Sequence, residues 1–358
     1  MKKKKASKVR CAIIGLSMGA WHFDRYKESE HGEVVAVVDV DTSKFARYTP
    51  IIGADNCFTD YKKMLKSAKP DLVSVVLPNY LHMPVTIDCL EAGAHVLCEK
   101  PMAMTVEEAL KMRDAAERCR RQLGLNFNQR FSPEARALKA FVDGGRLGEI
   151  YHAYTCWTRR DGIPRFGGWF GQRKLSGGGP LIDLGVHRLD LAMWLMGYPE
   201  VMAVSGMTHS RIGVPRAKAA RLNFDVEDFA AGFIRLKNGI SLLMEASWAG
   251  HQREAEGVSM RLMGTEGGLE ERDGLWYISS QSTSKYISQI SPDTGDRRST
   301  CSEMARCVAT GELYSAPAEH GIKIQRILNG LYASMEESRE VMYDQAPEIA
   351  PLIRRKGR

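Results

Sequence analysis

The residues predict an α/β chain in two parts: a parallel sheet wrapped in helices, then an α+β half on a mainly antiparallel sheet. Three observations carry this. Up to residue 127, short apolar runs alternate with amphipathic helical stretches, the pattern of β-α repeats joined by right-handed crossovers. Beyond Phe131 strand-like stretches dominate, and Asn238-Gly239 between two of them is a hairpin turn signal. At 358 residues the chain exceeds what one core usually holds, so two domains, 1–127 and 128–358, are expected.

Val9–Ile14 reads as the first strand, followed by Glu33–Val38, Asp71–Val76, His95–Cys98 and Gln122–Phe127. Tyr61–Ala68, Pro84–Ala92 and Val106–Arg121 are the helical stretches between them. The last has Glu107 and Glu108 at its start and arginines at its end, which suits the helix dipole. In the second half, Gly148–Trp157 reads as a strand and Arg159–Gly179 as a loop rich in glycine and arginine. A helix is expected from Pro180 to Met196, with proline at its first turn and Gly197 as its cap. Strands follow at Val201–Met207, Asp228–Leu236, Ile240–Trp248, Val258–Met263 and Leu275–Ile278, and a helix at Gly321–Val341 comes last.

The first strand runs straight into Gly15-Leu-Ser-Met-Gly-Ala20. A dinucleotide fingerprint places glycines at positions 15, 17 and 20. Here Gly15 fits, Ser17 replaces the second glycine, Ala20 takes the tolerated third place and Gly19 is extra. The serine crowds the approach of a pyrophosphate, or donates its hydroxyl to it. Taken alone the motif is also what a tight strand-to-helix turn without ligand would show. Asp39, ending the second strand, stands where a carboxylate takes the adenosine ribose hydroxyls and repels a 2′-phosphate, which favours NAD over NADP. Asp41 competes for that role. The fourth strand of the apolar series ends at Glu99-Lys100-Pro101. Proline cannot extend the ladder, so the Lys100 side chain is left at the carboxyl edge where open parallel sheets bind ligands.

Later in the chain, Gly177-Gly-Gly-Pro-Leu-Ile-Asp-Leu-Gly-Val-His187 puts Asp183 and His187 four apart, on one face of a helix. By itself such a pair reads as a surface pair, and a lysine after a strand reads as a solvated residue. Together the amine, carboxylate and imidazole make a proton-transfer set, with His187 the best base because imidazole exchanges protons near neutrality. The loop from Thr158 to Lys174 is the specificity candidate. Trp157 and Trp169 offer faces for sugar C–H groups, and Arg159 and Arg165 offer donors for hydroxyls or carboxylates. A solvent-exposed basic loop is the competing reading.

Net charge is +7, but lysines and arginines crowd the two ends and the body mixes signs, so no nucleic-acid partner is expected. Eight cysteines without a C-x-x-C pair suggest neither a metal site nor a disulfide framework. No run is long and apolar enough for a membrane span, and no signal peptide is visible, so a cytoplasmic location is expected.

Taken together, the glycine turn, Asp39, Pro78-Asn79 with His82, Glu99-Lys100-Pro101, Asn128 with Arg130-Phe131, and Gly178-Gly179 leading to Asp183 and His187 resemble the Gfo/Idh/MocA oxidoreductases. Met263-Gly-Thr-Glu-Gly-Gly268 adds to the likeness, which covers nearly the whole chain. The resemblance implies an N-terminal Rossmann dinucleotide-binding domain and a C-terminal α+β domain with a large open, mainly antiparallel sheet through which copies pair. It implies NAD as cofactor, held by Gly15, Ser17, Met18, Asp39, Pro78, Asn79, His82, Glu99, Lys100 and Asn128. Lys100, Asp183 and His187 would be catalytic, and with Arg130, Trp157, Arg159, Arg165 and Trp169 would bind substrate. The substrate class is a sugar, glycoside or cyclitol losing hydride from a ring secondary hydroxyl, including oxidation of a glycoside at C3 with recycled NAD. A redox-assisted glycosidase and a non-catalytic NAD-binding regulator are the alternatives. The sugar, the hydroxyl, the direction and the oligomer size are not readable from the residues.

Overall fold

The computed structural model describes residues 8–279, 287–292, 298–343 and 353–354; the basic ends, 1–5 and 355–358, lie outside them. The chain divides into two compact units, 1–128 with 298–322 and 129–297 with 323–358. The returning segment, which includes the helix Thr300–Thr310, is a difference from the sequence reading, which assigned it to the second half.

The first unit is built on a six-stranded sheet of β1 (Val9–Ile14), β2 (Gly32–Val38), β3 (Cys57–Phe58), β4 (Leu72–Val75), β5 (His95–Cys98) and β6 (Leu123–Leu125). Their order is β3-β2-β1-β4-β5-β6 and every pairing is parallel. That order reverses between β1 and β4, which makes the crevice beyond their carboxyl ends the ligand position of a doubly wound fold. Ile13, Val37, Val73, Val75, Val96 and Leu97 are fully buried, as expected for strands covered on both faces. The helix Val106–Cys119 starts where the Thr105 side chain accepts from the Glu108 N–H, and Glu107 and Glu108 occupy its first turn.

The second unit holds a ten-stranded sheet: β7 (Ile150–Arg159), β8 (Val201–His209), β9 (Phe229–Leu236), β10 (Ser241–Ser247), β11 (Glu256–Gly264), β12 (Gly267–Glu271), β13 (Leu275–Ser279), β14 (Ile287–Gln289), β15 (Val341–Tyr343) and β16 (Ile353–Arg354). The order is β14-β13-β12-β11-β7-β10-β9-β8-β15-β16. Among the described residues only β7 and β10 pair in parallel, so the mainly antiparallel expectation holds. The hairpin joining β9 and β10 turns at Asn238 and Gly239, both with positive φ. Along β10, Leu242, Met244 and Ala246 point into the core, whereas Leu243 is 40 % exposed. That alternation is the mark of a sheet packed on one face only.

One helix differs from its expected form. Leu181–Gly185 is a π-turn, and regular α-helix runs only from Val186 to Leu195. Single π-turns of this kind concentrate at functional sites. No helix among the described residues is long and apolar enough to cross a membrane.

Candidate active site

In the first unit the site begins at the turn after β1. Gly15 has φ +91°, and a Cβ there would lie 1.9 Å from the Val76 carbonyl oxygen, so only glycine lets the chain pass β4 this closely. The helix Gly19–Glu28 starts immediately afterwards. Asp39 faces this turn: its Oδ2 accepts from the Leu16 N–H at 2.8 Å and its Oδ1 from the Asp41 N–H at 2.9 Å. Asp41 instead caps the turn Thr42–Arg47 by accepting from Ser43. Burial opposes ionisation of Asp39, but the Asp41 and Leu16 N–H groups and the Lys44 ammonium outweigh it and hold the carboxyl below its usual value. Around the same sheet edge Met18, Val40 and Tyr80 are exposed apolar side chains, one from each of the loops after β1, β2 and β4. A carboxylate for a ribose diol, a glycine-bound turn for phosphate and apolar surface for a flat base fit NAD.

The residues after β4 and β5 divide into those that face this edge and those that brace it. Pro78 opens the short turn Asn79–Leu81, and Asn79 is nearly buried. His82 is fully buried, its ring nitrogens facing the carbonyls of Pro101 and Leu77 at 2.8 Å each. It braces the loop after β4 against the one after β5. Lys100 lies directly past β5 and is part-exposed, with a cis bond to Pro101. Asn128, at the end of the first unit, is exposed.

Glu99 turns inward. Its Oε1 lies 2.9 Å from His22 Nε2 and accepts from Asn126 Nδ2 at 2.5 Å, while its Oε2 accepts from the Lys100 N–H at 3.2 Å. On the other side of the ring, His22 Nδ1 lies 3.0 Å from Ser74 Oγ and 3.4 Å from Cys301 Sγ. Burial alone would strip the His22 proton, but Cys301 and Glu99 outweigh it and push the imidazole up to about 10. Burial likewise works against the Glu99 charge, yet His22, Lys100 and Asn126 bring its carboxyl down to about 2. The strand end that carries Lys100 therefore rests on a buried imidazolium–carboxylate pair.

In the second unit, Asp183 lies in the π-turn and accepts from the Trp248 indole Nε1 at 3.0 Å. The Trp157 ring lies 5.9 Å from the His187 ring, tilted by 45°. Behind them Glu227, nearly buried, accepts from the Gly179 and Leu181 N–H groups and from the Tyr332 hydroxyl. A Cβ at Gly179 would meet the Glu227 carbonyl at 2.2 Å, which is why this glycine precedes the site. Trp248 sits in an apolar cluster with Leu184, Ala217, Phe224 and Val226, onto which Trp157, Phe166 and Phe170 of the preceding segment pack.

The other expected substrate contacts occupy varied positions. Arg130 is 3 % exposed and clamps Asp190 through two nitrogens, at 2.8 and 2.5 Å, while also donating to Tyr198. These bonds make it a structural clamp rather than an open donor. Arg159 pairs with Glu256 at 2.8 Å and lies over the Trp157 ring. Arg165 is exposed, and Trp169 stacks on Phe170 at 3.9 Å. His22, Asn126, Glu227, Trp248 and Lys44 were missed from the sequence. Each acts through a partner distant along the chain or outside any motif, and no local signal marks it.

Comparison with known proteins shows the family. Residues 9–127 match the model of an oxidoreductase family with an NAD-binding Rossmann fold, and residues 135–270 match the GFO/IDH/MocA C-terminal domain. The chain belongs to the GFO/IDH/MocA family of NAD-dependent oxidoreductases. It is 35 % identical to the D-glucoside 3-dehydrogenase of Escherichia coli (strain K12) over 347 residues, covering 94 % of this chain and 98 % of that one. It is 28 % identical to the levoglucosan dehydrogenase of Pseudarthrobacter phenanthrenivorans over 243 residues, 62 % of each chain. Among solved structures, levoglucosan dehydrogenase in complex with NADH aligns with a TM-score of 0.82 over 95 % of this chain and all of that one, at 22 % identity, and so speaks to the fold.

Proposed function

We propose that the chain oxidises a ring secondary hydroxyl of a sugar, glycoside or cyclitol, with a glycoside attacked at C3 as the leading case. The observation that carries this reading is an anchored carboxylate, Asp183 held by Trp248, four residues before His187, whose ring lies beside that of Trp157. An indole face suits the C–H face of a pyranose, and the two polar groups suit adjacent hydroxyls. The likeness to D-glucoside 3-dehydrogenase along nearly the whole chain supports the glycoside.

Bound NAD supplies the hydride acceptor. The residues that would hold it are Gly15, Ser17, Met18 and Asp39, with Pro78, Asn79 and Asn128 at the same edge. His187 takes the hydroxyl proton as the carbon–oxygen bond becomes a carbonyl. Asp183 orients the ring or a neighbouring hydroxyl. The Lys100 ammonium stabilises the developing alkoxide or relays its proton. Glu99 and His22 fix the strand end from which Lys100 extends.

Copies of the chain are proposed to pair through the uncovered face of the large sheet. Tyr154, Phe233, Leu243 and Met207 lie on that face, opposite the buried side chains of the same strands. A reducing compartment such as the cytoplasm suits the eight cysteines, all of them thiols.

The test is to incubate purified protein with NAD and a panel of alkyl and aryl glucosides, free sugars and inositols, following reduced nicotinamide and analysing products by mass spectrometry. A 3-oxo glycoside formed one-for-one with NADH is expected, and its loss in Lys100→Ala and His187→Ala. Aglycone release without net NADH would replace this reading with a redox-assisted glycosidase. Undiminished turnover in both variants would remove the assigned roles.

A further inference from the structure

The stretch that enters β9 ties down Asp183 from two sides. The chain before the π-turn reads Gly177-Gly-Gly-Pro180, and no side chain caps the turn at Pro180. The first N–H groups of a helical segment need acceptors from elsewhere. Glu227 supplies one from 46 to 48 residues further along: its Oε1 accepts from the Gly179 N–H at 2.9 Å and from the Leu181 N–H at 3.2 Å. The Tyr332 hydroxyl donates to the same oxygen at 2.8 Å.

From there the hold passes to Asp183 by two routes. The Gly179 carbonyl accepts from the Ile182 and Asp183 N–H groups at 3.1 Å each, so the Asp183 backbone hangs from the glycine that Glu227 grips. The next residue, Asp228, accepts at its carbonyl from the Trp248 N–H at 3.0 Å, and Trp248 donates its indole N–H to Asp183 Oδ2. Glu227 and Asp228 precede β9 and Trp248 follows β10, whose paired ends Phe229 and Ser247 keep them together. Burial pushes the Glu227 carboxyl above its usual value, against the lowering by Tyr332 and the Gly179 and Leu181 N–H groups. The turn uses an accepting atom at this reach, while burial works against the charge.

We infer that Glu227 is a positioning residue for Asp183: by accepting at the head of the π-turn it fixes where that carboxylate is presented to a substrate hydroxyl. The consequence for turnover rests on the reading of Asp183 as a group that meets substrate.

The experiment compares Glu227→Gln, which keeps the reach and an accepting oxygen without the charge, with Glu227→Asp, which keeps the charge and shortens the reach. The full chain is assayed with NAD and methyl β-glucoside, and hydrogen exchange is followed on the peptide spanning residues 177–187. In Glu227→Asp, kcat is expected to fall about tenfold with KM within about threefold, and exchange at the π-turn to rise about tenfold. Glu227→Gln is expected to stay within about threefold of wild type in both readouts. In an Asp183→Asn background, Glu227→Asp is expected to cost less than about a further twofold, because its effect travels through that carboxylate. Equal losses in the two variants, a faster Glu227→Asp than Glu227→Gln, or an undiminished loss in the Asp183→Asn background would overturn the positioning role. A wild type that oxidises no glucoside, while exchange still separates the two variants, would overturn the function reading and leave the hold on Asp183 standing. Exchange that fails to separate them overturns the inference whatever the turnover.

Discussion

Replacing His22 by leucine tests how the Lys100 strand end is held. His22 is 1 % exposed and its Glu99 partner 15 %, at 2.9 Å, so the substitution leaves a carboxylate in a largely dry site. Breaking a buried pair by removing one member costs about 3–5 kcal/mol. Two donors to Glu99 survive, Asn126 at 2.5 Å and the Lys100 N–H at 3.2 Å, which places the expected cost near the lower end. A loss of about 3 kcal/mol lowers the melting midpoint of a unit this size by roughly 6–12 °C. The assay is urea unfolding combined with hydrogen exchange on peptides covering Gly19–Glu28 and His95–Cys98, which reports the first unit alone. Glu99→Leu placed on top of His22→Leu removes the stranded charge, so the double variant is expected to cost no more than the histidine change by itself. If the two costs add to within about 0.5 kcal/mol, the pair is not coupled and the argument for a charged brace fails.

Three further outcomes are expected. His22, with its proton held more tightly in the fold, contributes stability that is complete below about 6.5 and is lost as pH rises through about 10; Glu99 contributes stability that is complete above about 4.5 and is lost as pH falls through about 2. The wild type should therefore lose urea resistance more steeply than His22→Leu between neutral pH and pH 10, and identical slopes would count against the assignment. Trp248→Phe keeps the buried ring but drops the donor to Asp183; kcat is expected to fall about tenfold with KM within about twofold, and an unchanged kcat would show that the indole N–H is not needed. Arg130→Met strands Asp190 in the core and is expected to cost about 3–5 kcal/mol by thermal or urea unfolding; retained stability with a raised KM alone would restore Arg130 as a substrate contact.

Much of the fold was legible because it is written in neighbours. β1 and β5 fall where the apolar runs Val9–Ile14 and His95–Cys98 place them, and Asn238-Gly239 turns the hairpin. Alternation and turn chemistry are sums over adjacent residues, so they survive without tertiary context. The candidate site was legible where a motif couples a strand end to a chemistry: Gly15, Asp39 and Lys100 stand at the carboxyl edge of the parallel sheet. It was illegible where roles depend on what a side chain meets. Glu99 and His82, read as cofactor contacts, are turned inward as braces, and Arg130 is occupied by Asp190.

Residue pattern alone determined the two-part α/β architecture, the glycine turn that begins the nucleotide edge, and the amine, carboxylate and imidazole of the proposed chemistry. Only the tertiary structure decided that residues 298–322 return to the first unit, that Leu181–Gly185 winds as a π-turn, and that Trp248 anchors Asp183. It also decided that Lys44 pairs with Asp39. The reason is physical: periodicity is a property of a short stretch of chain, whereas a hydrogen bond or ion pair belongs to two stretches. Which pairs form depends on where the packed core carries each of them.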